Sequence, residues 1–186
     1  LMPSKGSRWP VQALASGGPG RSARGSRYLL TDHIADITAF LTGHVAEPAV
    51  IYGHSLGALV AAGVAAAAPE RVRAIIMEDP PAPALLMNIR RTVHHTLFRI
   101  LQSFAGQQKS TADLARELGD YLMPLPSGKT SRMDQMRDAV TIRFVARCLK
   151  ECDPEVLTPL IESKLLDGWD AEAAFRSVRC PALLLR

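Results

Sequence analysis

The chain has 186 residues, 47% of them hydrophobic and 22% charged, with a net charge of +4. That is enough for one domain with a sizeable core and too little for two ordinary ones. The modest charge is spread over scattered arginines without aromatic or basic runs, which argues against a nucleic-acid arm. No run of about 18 apolar residues occurs, so no spanning helix is implied, and no signal-peptide pattern is expected.

Residues 1–10 are polar and without periodicity, and Val11–Ala15 is expected to form a short strand. The stretch Ser16 to Ser26, SGGPGRSARGS, is a loop by composition. Thr31 is expected to cap a helix whose Ile34, Ile37, Leu41 and Val45 share one stripe. Ala49–Tyr52 is a short apolar run, read as a buried strand. Leu56–Ala68 is so rich in alanine that it favours a helix, which Pro69 stops. Val72–Met77 is the next buried strand, so strand, helix and strand alternate as in a parallel sheet.

After Glu78 to Pro83 the pattern becomes helical throughout. Leu86, Ile89, Val93, Leu97, Ile100, Leu101 and Phe104 recur at threes and fours. Ser110 or Thr111 opens a second helix with Leu114, Leu118 and Leu122. Ser131 opens a third with Met133, Met136, Val140, Phe144 and Cys148 on its apolar stripe, and Asp153-Pro154 starts a short fourth. Residues 84–165 are therefore expected to be an all-helical insertion, and Pro181–Leu185 a returning strand. The three cysteines, Cys148, Cys152 and Cys180, lack framework or metal-site spacing and read as buried or half-buried thiols in a reducing compartment. A cytoplasmic location is the expectation.

The chemistry concentrates at Gly53-His54-Ser55-Leu56-Gly57, a G-x-S-x-G between an expected strand and helix. That context puts Ser55 on a turn too tight for neighbouring side chains, so that Gly53 and Gly57 are both expected to avoid collisions. The Leu56 N–H, opening the helix, points to where an oxyanion would form. Neither G-x-x-x-x-G-K-[ST] nor G-x-G-x-x-G occurs, which argues against a phosphate loop at Gly17–Gly20.

On these residues the chain resembles an α/β hydrolase with a helical cap, of the esterase, epoxide-hydrolase and carbon–carbon-hydrolase kind. GGPGRS and YLLTDHIADITAFL are similar to the loop and helix after that family's fourth strand. VIYGHSLGALVA resembles its fifth strand and elbow, PERVRAIIMEDPP its sixth strand, and DGWDAEAAFRSVRCPALLLR its re-entry into the seventh. The resemblance implies a partial α/β-hydrolase parallel sheet: residues 1–83 as core, 84–165 as cap, 166–186 as the return to the core. It implies Ser55 as nucleophile, Leu56 as oxyanion donor, His54 near the pocket, and Leu86, Met87 and Met136 as pocket residues. The expected substrate is a small ester or related acyl compound, with no cofactor, metal, nucleic acid or membrane partner.

The family order is Ser, then Asp or Glu, then His. This chain ends on the strand that resembles the seventh, so the base is expected to lie outside it. Nothing in it resembles the family's first three strands either, so the chain by itself is expected to be an inactive fragment, prone to aggregate through unpaired strand edges. Asp79, just after the strand that resembles the sixth, reads as the cap of the Pro80-Pro81 turn, with a substitute acid as the alternative. His94 and His95 follow it but read as surface residues on a cap helix, and His33 and His44 as exposed. GHSLG also resembles the elbow of acyltransferase domains, where glutamate commonly follows; here Ala58 stands instead. A non-catalytic binding protein on the same fold is the third reading.

Overall fold

The computed structural model describes Gly25, residues 27–125 and residues 127–186. The strand expected at Val11–Ala15 lies outside the described residues. Among the described residues the first element is helix α1, Leu30–His44, then come strand β1, Ala49–His54, helix α2, Leu56–Ala67, and strand β2, Val72–Glu78. Six helices follow: α3, Pro83–Met87; α4, Val93–Phe104; α5, Thr111–Asp120; α6, Met133–Met136; α7, Ala139–Lys150; and α8, Thr158–Ile161. A hairpin of β3, Leu122–Pro124, and β4, Thr130–Arg132, lies between α5 and α6. Helix α9, Ala171–Ser177, and strand β5, Ala182–Leu185, close the chain.

β1, β2 and β5 form a parallel sheet in the order β1-β2-β5, with Ile51 opposite Ile75 and Ile76 opposite Leu183. Parallel pairing demands long crossovers. α2 supplies the first, and the stretch from α3 to α9 supplies the second. Both β1 and β2 run past the ends expected from apolar runs, because ladder bonds carry pairing through Gly53 and His54 to Glu78. One sheet face packs on α2, where Ala58, Leu59, Ala61, Ala62, Gly63, Val64 and Ala65 are buried. On β1 the alternate residues Val50 and Tyr52 are 55% and 58% exposed.

α1 is not capped by Thr31. Its N-terminus lies at Leu29, whose N–H donates to the Asp32 carboxylate at 3.0 Å. The single pattern from Leu86 to Phe104 is interrupted. α3 ends at Met87, a 3₁₀ turn covers Ile89–Arg91, and the Thr92 hydroxyl donates to the Ile89 carbonyl before α4 begins. Nor is the insertion all-helical, because of the β3–β4 hairpin. Leu122 is on that hairpin rather than on α5, which Ser110 caps by accepting from the Asp113 N–H at 3.1 Å.

The largest departure concerns α7. Asp138, not Ser131, caps it, accepting from the Val140 and Thr141 N–H groups at 2.9 Å each. Its buried face is Ile142, Ala146 and Leu149. The stripe expected to be buried, Val140, Phe144 and Cys148, faces solvent instead. The buried set meets Ile100, Phe104, Leu114 and Leu118 in a second core, separate from the one beneath the sheet.

One long-range link joins the start of the described chain to the helical region. The Tyr28 hydroxyl donates to the Asp153 carboxylate at 2.9 Å, and both groups are buried. Asp153 also caps the 3₁₀ turn Pro154–Leu157 through the Glu155 N–H. Among the described residues no helix is long and apolar enough to cross a membrane.

Candidate functional site

The turn between β1 and α2 has the geometry that its glycines suggest. Ser55 sits at φ 53°, ψ −122°, a left-handed region that a non-glycine residue occupies only when its surroundings hold it there. Two bonds do so: the Ser55 N–H donates to the Glu78 carbonyl at 2.8 Å, and the Ser55 carbonyl accepts from the Ala58 N–H at 2.9 Å. The first ties the turn to the end of β2, the second starts the helix.

Gly53 is required by contact. A Cβ there would lie 2.1 Å from the Gly57 carbonyl oxygen and 2.7 Å from the Ala58 nitrogen. These are backbone atoms and cannot swing aside. Gly57 is different from the expectation: a Cβ there meets nothing within 4 Å among the described residues. The helix turns that side of Gly57 away from the strand it follows. Leu56 is the first residue of α2, so its N–H is one of the four that no helical carbonyl can reach. The helix dipole adds partial positive charge at the same end.

Around this turn the candidates are dispersed. His54 is exposed and opposite Glu78 in the sheet register. Glu78 accepts a hydrogen bond from the Tyr52 hydroxyl, which holds the Tyr52 phenol above its usual range. Asp79 is exposed at φ 46°, with its N–H donating to the Leu185 carbonyl at 2.9 Å, so it stands at the carboxyl ends of β2 and β5. All five histidines of the chain are among the described residues, and none hydrogen-bonds the Ser55 hydroxyl. His94 is exposed and His95 half-buried near the start of α4.

His33 corrects the expectation of exposure. It is buried beneath Tyr28, with ring centroids 6.4 Å apart, and burial pushes its pKa down against the opposing pull of Asp36 and Asp32. His44 is exposed as expected. Cys148 is exposed rather than half-buried, whereas burial raises the pKa of Cys152. No group of three metal-ligating side chains occurs among the described residues.

The residues expected to line one pocket are separated. Leu86 is buried in the core under the sheet, and Met136 is exposed on α6. Met87 does line a cleft of about 310 Å³, together with Pro83, Leu166, Asp167, Trp169 and Glu172. Ser55 is not part of that cleft's wall. Sequence reading passed over Trp169, although an aromatic residue beside the return to the sheet was the available signal.

Comparison with known proteins gives this geometry its context. The model described as "Alpha/beta hydrolase family" matches residues 8–185. The chain is 30% identical to lipase LipV of Mycobacterium tuberculosis over 131 residues, 64% of this chain and 50% of LipV. Among solved structures, E-2-(acetamidomethylene)succinate hydrolase superposes with a TM-score of 0.64 at 20% identity, over 92% of this chain and 60% of that one. A thermophilic esterase from Thermogutta terrifontis superposes with a TM-score of 0.53 at 18% identity, over 90% of this chain and 57% of the esterase. The chain thus spans half the length of LipV and about 60% of the first solved neighbour. With a family match along nearly all its length and a parallel sheet carrying this turn between β1 and α2, the chain belongs to the alpha/beta hydrolase family.

Proposed function

We propose that the chain is the nucleophile-bearing part of a serine hydrolase acting on a small ester or related acyl substrate. The observation that carries this reading is the backbone of Ser55, held at φ 53° between β1 and α2. Strain of about 1–3 kcal/mol persists at such a residue only where the surroundings over-determine it. An ordinary strand-to-helix turn has no need of it. The lipase name of the M. tuberculosis relative supports an ester as the substrate.

In this reading the Ser55 hydroxyl attacks the acyl carbon, and the Leu56 N–H donates to the oxyanion that forms. The leaving alcohol departs with a proton, and water then cleaves the acyl-serine. Residues 84–165 act as a cap over a core made of residues 1–83 and 166–186. His54 flanks the nucleophile, while Met87 lines a cleft whose wall does not include Ser55 and Leu86 lies in the core. Asp79 is the carboxylate at the sheet end that can orient a base.

Attack needs a base within hydrogen-bond reach of Ser55, and no histidine of this chain bonds its hydroxyl. The 186-residue chain is therefore expected to hydrolyse p-nitrophenyl acetate no faster than its Ser55→Ala variant. A chimera carrying the corresponding flanks of a full-length family member is expected to be labelled at Ser55 by a fluorophosphonate, with loss of label on Ser55→Ala. A folded chimera labelled elsewhere, or not at all, would falsify the assignment of Ser55. Strong Ser55-dependent turnover by the chain alone would overturn its inactivity and make Asp79 with His94 or His95 the relay.

A further inference from the structure

The outer face of α7 has a composition that neither core nor catalysis uses. At 100° per residue, Val140, Phe144 and Cys148 fall on one stripe, opposite the buried Ile142 and Leu149. Val140 is 79% and Phe144 65% exposed, and Cys148 is exposed too. Solvent-facing hydrophobes scattered singly need no explanation. Three in line on one helix, with a phenylalanine at the centre, form a ridge.

The flank of that ridge is basic. Arg143 and Arg147 lie beside Val140 on the wheel, with Lys150 next to Arg143, and all three are exposed. Among the described residues none of the three enters an ion pair. Elsewhere arginines and lysines do find acids, as Arg132 does with Asp120 and Asp134, and Arg116 with Asp113. α7 itself carries no acid: Asp138 just before it is occupied in capping, and Glu151 lies beyond its last turn. The middle of the face is apolar and positive only.

We propose that this face of α7 docks the protein on an anionic lipid surface, with Val140 and Phe144 entering the acyl boundary and Arg143, Arg147 and Lys150 pairing with headgroup phosphates. The charge selects the occupant. A ridge of apolar side chains on an outward-facing helix, flanked by cations, matches an interfacial helix, which lies in the membrane plane. The ridge stands on the outer layer of the second core, since α7 packs inward on α5 and α4. The expectation of no membrane partner rested on the lack of a spanning segment, which docking in the plane does not need.

The test is co-sedimentation of the 186-residue chain with phosphatidylcholine vesicles, with and without phosphatidylglycerol. Anionic vesicles are expected to bind at least about tenfold more strongly than neutral ones. Removing both arginines, Arg143→Gln with Arg147→Gln, is expected to cost about fivefold per charge. Val140→Ser with Phe144→Ser is expected to cost about tenfold or more. Both variants alter exposed residues, so their thermal melting should match the parent, and far-UV circular dichroism checks this. Equal binding to neutral and anionic vesicles, or unchanged binding by either folded variant, overturns the proposal. So does a lipid-free dimer dissolved by Phe144→Ser, which would make the face a contact between copies.

Discussion

The two cores of this molecule are built by opposite means. Beneath the sheet, α2 contributes Ala58, Ala61, Ala62, Gly63 and Ala65, with Leu59 and Val64 as its large buried residues, and Ile34, Ile75 and Leu165 of other elements pack into the same core. In the helical region, α4, α5 and α7 fill their shared interior with Ile100, Phe104, Leu114, Leu118, Ile142 and Leu149. The first core is a set of close backbone approaches, in which what matters is the side-chain atoms left out. The second is volume filled at helical spacing, in which one apolar residue can replace another of similar size. The difference matches their tasks. A turn that holds Ser55 at positive φ needs strand and helix fixed to within a fraction of an ångström, whereas a packed helical layer tolerates repacking.

The sharpest way to break this comparison is to add one methyl at each end of the turn. Gly53→Ala forces a Cβ against the backbone of Gly57 and Ala58. It is expected to cost more than about 3 kcal/mol, seen as loss of the urea transition or of soluble protein. Gly57→Ala puts its Cβ into open space and raises helix propensity, so it should fall within about 1 kcal/mol of the parent, on the stable side. Equal damage from the two substitutions would mean that the turn is not held by the contact at Gly53.

A smaller effect is expected one layer out, where α2 meets α1. A Cβ at Gly63 would lie 2.2 Å from Cδ1 and 2.7 Å from Cγ1 of Ile34. Here the obstacle is the end of a side chain, which can move at a cost. Gly63→Ala is expected to lose about 1–3 kcal/mol. Ile34→Val removes the nearest carbon, so the double variant should cost less than the sum of the singles. Strict additivity in urea denaturation would show that α1 does not set the spacing at Gly63.

These contrasts also mark what could be read from the chain itself. β1, α2, β2 and β5 were legible because each is an apolar or alanine run bounded by glycine, proline or charge. Their parallel pairing followed from that alternation. The turn at Ser55 was legible because a serine two residues after Gly53 stands between a strand and a helix, and Gly53 is the glycine its packing requires. The face of α7 was not. Met136, Val140, Phe144 and Cys148 recur at fours, and so do Ile142, Ala146 and, one residue short, Leu149. Periodicity shows two stripes and does not say which one a neighbour covers. Packing decided it, because Ile142, Ala146 and Leu149 meet Ile100, Phe104, Leu114 and Leu118, whereas the Asp138 cap fixes only where the helix starts. The buried pair Tyr28 and Asp153, 125 residues apart, left no local signal at all.

The smallest effect expected belongs to His33 on α1, the helix that packs into the core beneath the sheet. It is buried by the chain that leads from Tyr28 into α1, and burial disfavours its charged form. Asp36 and Asp32 pull the other way and do not prevail, although Asp32 is shared with Arg27 at 2.8 Å. The folded-state pKa therefore lies below the unfolded value of about 6.5. Above that pH His33 is neutral in both states and adds no pH dependence. As pH falls below it, the unfolded chain takes up a proton that the folded chain resists, so stability declines until the folded pKa is passed and then levels off. Urea midpoints followed from about pH 7.5 to 5.5 should fall for the parent and for His44→Gln, whose site is exposed. His33→Gln should flatten the decline, whatever its own cost in packing, because the slope reports the proton and the level reports the contacts. A slope unchanged by His33→Gln but removed by His44→Gln would move the titrating group to the exposed end of α1 and dissolve the link between burial and charge argued for His33.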